Sequence, residues 1–194
     1  YYQEYIQNNF TNDEIFITFQ KNKRILLFLF EEKIITITKK MITTFSNYKF
    51  RKGNFLQFFS NEINVFDRKQ NDNSEDFEEK RKIGENNSFI CQLIREDKID
   101  EFVSHINQSN LNIKTFEINP SIFETNSFLV KKTVSLIEYS AFFGSIQIFN
   151  YLLLNGAELK PNLFLYAIHS NNQEIFHFLE EKKVKFISEK NLKE

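Results

Sequence analysis

Apolar residues recur along this chain at spacings of three and four positions, in short segments separated by polar breaks. The pattern is clearest between residues 135 and 158, where two apolar faces follow each other. The first face comprises Leu136, Ile137, Tyr139, Ser140 and Ala141, and the second comprises Ile146, Ile148, Phe149, Leu152 and Leu153. Gly144 lies between them and favours the left-handed conformation that ends a helix, and Asn155-Gly156 suits the end of the second helix. Ser145 is expected to cap the second helix by accepting a hydrogen bond from a first-turn amide.

The same spacing recurs elsewhere in the chain. It predicts further helical hairpins at 13–34, 88–106 and 162–184. Single helices are predicted at 39–45 and 54–66, and residues 36–38 also fit a short strand. The hairpins near the two ends share a local unit, because the sequence around Glu31-Glu32-Lys33 is close to that around Glu180-Glu181-Lys182.

The stretch 135–158 resembles an ankyrin repeat, whose pattern is roughly T-P-L-H-x-A-A-x-x-G-H-L-E-V-V-x-L-L-L-x-x-G-A-D. The matching positions are Ser135, Ile137, Ala141, Gly144, Ile146, Ile148, Phe149, Leu152, Leu153, Gly156, Ala157 and Glu158. Leu136 replaces the Pro, and Glu138 replaces the His that usually hydrogen-bonds to the neighbouring repeat. The flanking residues 121–128 and 166–172 are similar to a large, divergent group of ankyrin-repeat proteins from unicellular eukaryotes.

The resemblance implies an all-α solenoid of ankyrin-type helical hairpins, with degenerate repeats at the N-terminus and shortened hairpin loops. Phe89 and Leu136 correspond at a spacing of 47 residues, longer than the usual period of about 33, so an insertion of about fourteen residues is expected within 107–134. Phe123, Phe128 and Leu129 are expected to pack this insertion on the array. The predicted domains are a degenerate helical region at 1–69, a charged connector at 70–87, the array at 88–187 and a frayed tail at 188–194.

The composition narrows the classes of partner and compartment. The formal net charge is −1, so no bulk field favours nucleic acid or an anionic membrane. The single cysteine excludes an internal disulfide and fits a reducing, cytoplasmic (intracellular) compartment. The longest strongly apolar run, at 25–30, is far too short to span a bilayer.

The chain starts at Tyr1 rather than Met, which suggests a piece of a longer protein. The charged stretch at 67–85 is interpreted as a connector made of a solvated loop that leads into a short charged helix, with an interaction tail as the alternative.

The residue types that carry chemistry are scattered. Phosphate loops need clustered glycines, whereas Gly53, Gly84, Gly144 and Gly156 lie far apart, so no cofactor and no small-molecule substrate are predicted. The three histidines, His105, His169 and His177, have no partners at metal-ligand spacing, and they are interpreted as exposed or locally hydrogen-bonded. Cys91 is interpreted as a buried structural thiol rather than a nucleophile paired with His105. No catalytic residue and no metal site are predicted.

The predicted partner is a protein of unknown identity, and the chain is predicted not to be an enzyme. In the ankyrin pattern, the two positions before the turn glycine face a concave groove. They are occupied here by Arg95, Glu96, Phe142, Phe143, His169 and Ser170. Two consecutive phenylalanines point in different directions, so at most one of the pair is expected to be buried; alternatively, the insertion at 107–134 covers them. The function predicted is a non-catalytic protein–protein interaction module. The alternatives are a structural or oligomerising segment of a longer protein, and an uncharacterised enzyme in the first 70 residues.

Overall fold

The computed structural model describes residues 2–51, 53–67, 74–130 and 133–184. The predicted tail at 188–194, the last residues of the predicted array at 185–187 and the start of the charged connector at 70–73 lie outside these ranges. The described residues form fourteen helices and one two-stranded sheet, so the all-α prediction holds at the level of fold class. The chain divides into two compact units. Unit 1 comprises residues 1–87 and 120–132, and unit 2 comprises 88–119 and 133–194.

Unit 1 contains eight described helices. They are α1 (Tyr2–Asn9), α2 (Asn12–Phe19), α3 (Lys23–Glu31), α4 (Lys39–Ser46), α5 (Tyr48–Arg51), α6 (Phe55–Phe58), α7 (Ser60–Phe66) and α8 (Glu75–Ile83). The hairpin predicted at 13–34 is α2 followed by α3, and α2 begins with a capping box between Thr11 and Glu14. Residues 36–38 do not form the short strand that their sequence also fitted. Thr38 instead lies directly before α4, where its side-chain hydroxyl accepts a hydrogen bond from the Met41 amide. The helix predicted at 54–66 is interrupted at Phe59.

Phenylalanine rings fill the core of unit 1. The Phe45 ring stacks on Phe59, with centroids 5.1 Å apart, and meets the edge of Phe16 at 5.6 Å. All three rings are almost completely excluded from solvent. Their edge-on and offset contacts suit the quadrupole of the aromatic ring, and such pairs add stability beyond the burial of area alone.

The segment 120–132 belongs to unit 1 rather than to the hairpins of unit 2. The expectation that it packs on the array is wrong for Phe123, whose ring meets Phe77 of α8 with centroids 5.3 Å apart. The Thr125 amide and hydroxyl both donate to the Gly84 carbonyl, at 3.0 and 2.8 Å. The described residues of the segment, 120–130, contain no helix or strand, so side-chain and turn contacts fix their position.

Unit 2 contains six described helices and the sheet. They are α9 (Phe89–Arg95), α10 (Ile99–Gln108), β1 (Glu117–Ile118), β2 (Val134–Ser135), α11 (Leu136–Phe143), α12 (Ile146–Leu154), α13 (Leu163–Ser170) and α14 (Gln173–Glu181). The hairpins predicted at 88–106, 135–158 and 162–184 are thus present as α9–α10, α11–α12 and α13–α14. The strands pair antiparallel, with Glu117 opposite Ser135. This small sheet was not predicted.

The three hairpins of unit 2 share one backbone pattern. Each first helix is followed by a residue with positive φ, and these residues are Asp97, Gly144 and Asn171, with φ of 49°, 75° and 50°. Each second helix is followed, two positions after its last residue, by a second residue with positive φ, and these residues are Asn110, Gly156 and Lys183. The positive φ predicted for Gly144 is confirmed. The residue after the second turn donates its amide five positions back, as Ala157 does to Leu152 at 3.0 Å, which is the Schellman arrangement. Ile34 donates to Leu29 at the end of α3 in the same way.

The hairpins stack side by side, and α11 lies in the middle of the stack. It contacts α9 on one side and α13 on the other, while α12 packs against its own hairpin partner and against α10. Every side chain from Leu136 to Phe142 is consequently buried. A surface helix buries only one apolar stripe of side chains. On α11 the buried side chains lie on several sides of the helix, because neighbouring helices cover most of its circumference.

Polar contacts join each hairpin to the next. Ser145 does not cap α12 as predicted, because its hydroxyl instead donates to the Ile94 carbonyl of the preceding hairpin. The cap comes from Asp97, whose carboxylate accepts from the Gln147 amide at 3.1 Å and the Ile148 amide at 3.0 Å. The side chain that caps α12 therefore comes from a turn about fifty residues earlier in the sequence.

Candidate functional site

The six residues predicted to face the groove lie at the C-terminal ends of α9, α11 and α13 and in the turns that follow. Four of them form a continuous row across the three hairpins, in the order Arg95, Phe143, Phe142, His169. Glu96 and Ser170 flank the two ends of this row. We call the row and its two flanking residues the turn-edge surface.

An arginine and two aromatic rings form the first half of the turn-edge surface. The Arg95 guanidinium lies 5.9 Å from the centre of the Phe143 ring and donates to the Tyr139 hydroxyl at 2.9 Å. The Phe143 and Tyr139 rings lie 4.7 Å apart. Tyr139 is buried, whereas Arg95 and Phe143 are half-buried. The hydrogen bond and the ring contact hold Arg95 in place while leaving part of it accessible.

The second half of the surface joins α11 to α13. The Phe142 ring lies 4.5 Å from the His169 ring, with 30° between their planes, and 6.5 Å from Tyr166. Phe142 is buried and His169 is exposed. Of the two phenylalanines, Phe142 therefore belongs mainly to the packing between hairpins, and Phe143 is the ring that remains partly accessible.

The two flanking residues are polar and locally bonded. Glu96 is exposed and pairs with Lys98 at 2.6 Å, and this hydrogen bond, helped by Gln92, holds the pKa of Glu96 below its usual value. Ser170 donates to the Ala167 carbonyl at 2.9 Å. The turn-edge surface thus combines the partly accessible Phe143 ring with Arg95 and Glu96, and aromatic residues and arginine are enriched at protein interfaces.

The other residues with reactive side chains are not gathered on this surface. Cys91 is buried, as expected for a structural thiol. His105 lies against the Phe89 ring at 5.2 Å, and His177 pairs with Glu180 on the surface of α14. Within the residues that the structure describes, no group of three or more His, Cys, Asp or Glu side chains is placed to hold a metal ion. In the same residues, none of the helices has the length and apolar character needed to cross a membrane.

Unit 1 contains a buried lysine that sequence reasoning missed. Lys23 is only 1% exposed, and its ammonium donates to the carbonyls of Ile122 and Glu124 at 2.8 and 2.9 Å. The ammonium also lies 4.8 Å from the centre of the Phe58 ring. A buried charge requires such compensation, because the loss of water costs several kcal/mol. Lys23 therefore fixes the segment 120–132 onto α3.

Arg81 lies near the same ring. It is 4% exposed, its guanidinium carbon lies 5.9 Å from the Phe58 centroid, and it pairs with Glu62 and Glu78, each at 2.9 Å. It also donates to the Phe58 carbonyl at 3.2 Å. Part of the stretch predicted to be a solvated connector is therefore buried. The two carboxylates balance the charge, which is the arrangement expected of a structural ion pair.

Glu124 is a buried carboxyl of unit 1 whose hydrogen bonding is incomplete. It is 2% exposed, and its Oε1 accepts from the Asn126 amide at 2.8 Å. Its Oε2 has no hydrogen-bond partner among the described residues. Burial raises the pKa of this carboxyl, and the nearby charge of Glu85 adds to the effect, while the amides of Asn126 and Asn86 and the charge of Lys23 oppose it.

An apolar groove of about 400 Å³ is also present in unit 1. It is lined by Phe30, Lys33, Ile35, Thr36, Ile37, Asn61, Glu62, Val65 and Phe66. The one carboxyl in this lining, Glu62, is the carboxyl that pairs with Arg81. The groove lies in the first 70 residues, the region to which the alternative function of an uncharacterised enzyme was assigned. Its lining is mostly aliphatic and aromatic.

Three comparisons with known proteins gave no match, whether to a family model, to a curated protein or to a solved structure. The turn-edge surface and the buried charges therefore have to be interpreted from their own geometry.

Proposed function

We propose that this chain is a non-catalytic protein-interaction module built from stacked helical hairpins of the ankyrin type. Three hairpins share the same two positive-φ turn positions and lie side by side. Such an arrangement presents the ends of successive helices as one extended surface, which suits binding to another protein. The proposal also rests on the sequence resemblance of residues 135–158.

The observation that carries the proposal is the row of contacts through Arg95, Phe143, Phe142 and His169. It brings residues from three hairpins onto one edge, although 74 positions separate Arg95 from His169 (169 − 95). Phe143 is anchored by its neighbours yet half-exposed. An aromatic anchor held in place before binding loses little conformational entropy when a partner covers it.

Site-specific photo-cross-linking tests the proposal. A photoreactive phenylalanine analogue at position 143 should cross-link one discrete protein from a cell extract. The matched control carries the analogue at Leu154, which is 87% exposed but lies at the far end of α12. The same set of products from both positions would argue against a specific surface.

Two alanine variants then separate binding from folding. Phe143→Ala should weaken binding of the cross-linked protein by about 1–3 kcal/mol, in the range of interface hot spots, with little change in melting temperature. Phe142→Ala should mainly lower the melting temperature, because Phe142 is buried between hairpins. If Phe143→Ala mainly lowers the melting temperature too, its ring belongs to the core and the proposal fails.

A further inference from the structure

Helix α1 lies on unit 1 but contributes little to its core. Of its eight residues only Ile6 is half-buried, where it packs against the hydrophobic core, and the other seven are exposed. Tyr2 and Tyr5 are 83% and 63% exposed. An isolated helix of this length is not stable in water, because the cost of starting a helix is not recovered over so few residues. The helix therefore depends on its contacts with the rest of unit 1.

Hydrogen bonds from two glutamines attach α1 to the turn that follows α3. The Gln3 side-chain amide donates to the Glu32 carbonyl at 2.7 Å. The Gln7 side-chain amide donates to the Lys33 carbonyl at 2.8 Å and to the Ile34 carbonyl at 3.3 Å. All three bonds are exposed, so water competes for each group and the net contribution of each bond to stability is modest. The docking of α1 thus depends on weak and separable contacts.

The following helix, α2, is anchored independently of α1. Thr11 and Glu14 form the capping box at its start, so α2 is capped by its own residues. The Asn12 side chain donates to the Thr36 carbonyl at 2.8 Å and accepts from the Thr36 amide at 3.1 Å. Phe10 is the one residue between the end of α1 and the cap of α2. A hinge needs only a few such loop residues to absorb the change in backbone angles.

We infer that α1 is a strap that opens and closes as a unit, with Phe10 as its hinge, while α2 and α3 stay folded. Opening breaks the three glutamine hydrogen bonds and withdraws Ile6 from the core, but it leaves the capping box and the contact between Asn12 and Thr36 intact. It uncovers the turn after α3, where Lys33 also lines the apolar groove. The strap therefore controls how much of the turn at the edge of this groove is exposed.

Native-state hydrogen exchange of the full chain, followed by NMR in increasing urea, tests the strap. The Phe10 amide donates to Ile6 at the end of α1 at 2.9 Å, and the Ile15 amide donates to Thr11 at the start of α2 at 3.2 Å. The Phe10 amide should be protected, but less than the Ile15 amide. Its protection should change little with urea, because the opening of one short helix exposes little surface.

Two results of this measurement would overturn the inference. Equal protection and equal urea dependence of the Phe10 and Ile15 amides would show that α1 opens only when the rest of unit 1 unfolds. Exchange of the Phe10 amide at the rate of an unstructured peptide would show that α1 does not dock on unit 1.

Removing one glutamine identifies the contacts that hold the strap closed. Gln7→Ala should raise the exchange rate of the Phe10 amide roughly twofold to tenfold, the effect expected from the loss of an exposed hydrogen bond. Alanine has a higher helix propensity than glutamine, so faster exchange cannot come from weaker helix formation. The Ile34 amide, which donates to Leu29 at 2.9 Å, should exchange as in the parent, because opening uncovers the turn without unfolding it.

Gln20→Ala is the matched control for this variant. The Gln20 side-chain amide donates to the Ile17 carbonyl at 2.9 Å, a bond of the same kind that lies away from α1. Exchange at Phe10 should therefore be the same in Gln20→Ala as in the parent. An unchanged Phe10 rate in Gln7→Ala would show that the glutamine does not hold α1. An Ile34 rate that rises together with the Phe10 rate would show that the end of α3 unfolds with α1, and either result contradicts a separate strap.

Discussion

Replacing Glu124 by Gln should make unit 1 more stable at neutral pH but not at acidic pH. Glu124 is 2% exposed and one of its oxygens has no partner among the described residues. Burial, with a contribution from Glu85, raises the pKa of the folded carboxyl above its usual 4.5. Glutamine keeps an oxygen that can accept from the Asn126 amide and removes the buried charge.

The sign follows from proton linkage. Between its unfolded and folded pKa values, Glu124 holds its proton more tightly in the folded protein, so the free energy of unfolding falls as the pH rises through that interval. It falls by at most about 1.4 kcal/mol per pH unit for one group. Below the unfolded pKa the carboxyl is neutral in both states, and its contribution to stability is then fully present. Glutamine does not titrate, so the advantage of the variant should grow with pH and then level off.

The plateau should be roughly 1–3 kcal/mol, because glutamine removes the buried charge while still leaving a polar group in the same buried place. The charge of Lys23 and the amides of Asn126 and Asn86 partly stabilise the carboxylate, so the expected stabilisation lies within that range rather than above it.

Urea unfolding from about pH 4 to pH 8, followed by circular dichroism, measures the difference in the free energy of unfolding between variant and parent. Hydrogen exchange of the Thr125 amide, which donates to Gly84 at 3.0 Å, reports on the segment itself. Glu79→Gln is the control, because Glu79 is exposed on α8. Stability curves for Glu124→Gln and the parent that stay parallel across the whole pH range would refute the reasoning.

Substitutions at two positions test the turns of unit 2. Gly144→Val should lower the free energy of unfolding by roughly 1–3 kcal/mol, because φ is 75° there and a Cβ would lie 3.1 Å from Ser170 Cβ; unchanged thermal stability would mean that the turn tolerates a side chain. Asp97→Ala should cost about 1 kcal/mol, the usual value of a helix N-cap, because the Gln147 and Ile148 amides lose their acceptor. Asp97→Asn should recover most of that loss, and an equal loss in both variants would show that the cap is not the cause.

The helices of unit 2 were predictable because their signals are local. The positions of α11 and α12 follow from apolar residues three and four apart and from Gly144 between them. The unpredicted α1 shows the opposite case. It buries no residue, and Gln3 and Gln7 hold it by donating to the Glu32 and Lys33 carbonyls at the end of α3. No periodic pattern in residues 2–9 indicates partners almost thirty positions away.

The buried lysine was missed for a related reason. Lys23 lies in a helix whose apolar residues predict a buried face, but a lysine at its start is normally expected to be exposed. Its acceptors, the Ile122 and Glu124 carbonyls, lie about a hundred residues later in the chain. The lysine is buried only because that segment folds onto α3.

The turn-edge surface was partly predictable, because the hairpin register places its six residues at equivalent turns. That register does not show which of two adjacent phenylalanines is buried.

The contact between Glu138 and Asn162 links two successive hairpins of unit 2. Where the ankyrin pattern has His, this chain has Glu138, which accepts from the Ser135 amide at 2.7 Å and from the Asn162 side chain at 2.6 Å. A buried glutamate requires such donors, and Asn162, at the start of the next hairpin, supplies one. The polar link between hairpins is therefore present with glutamate as the acceptor. The cost of burying Glu138 is therefore offset by two donors, one within its own helix turn and one in the next hairpin.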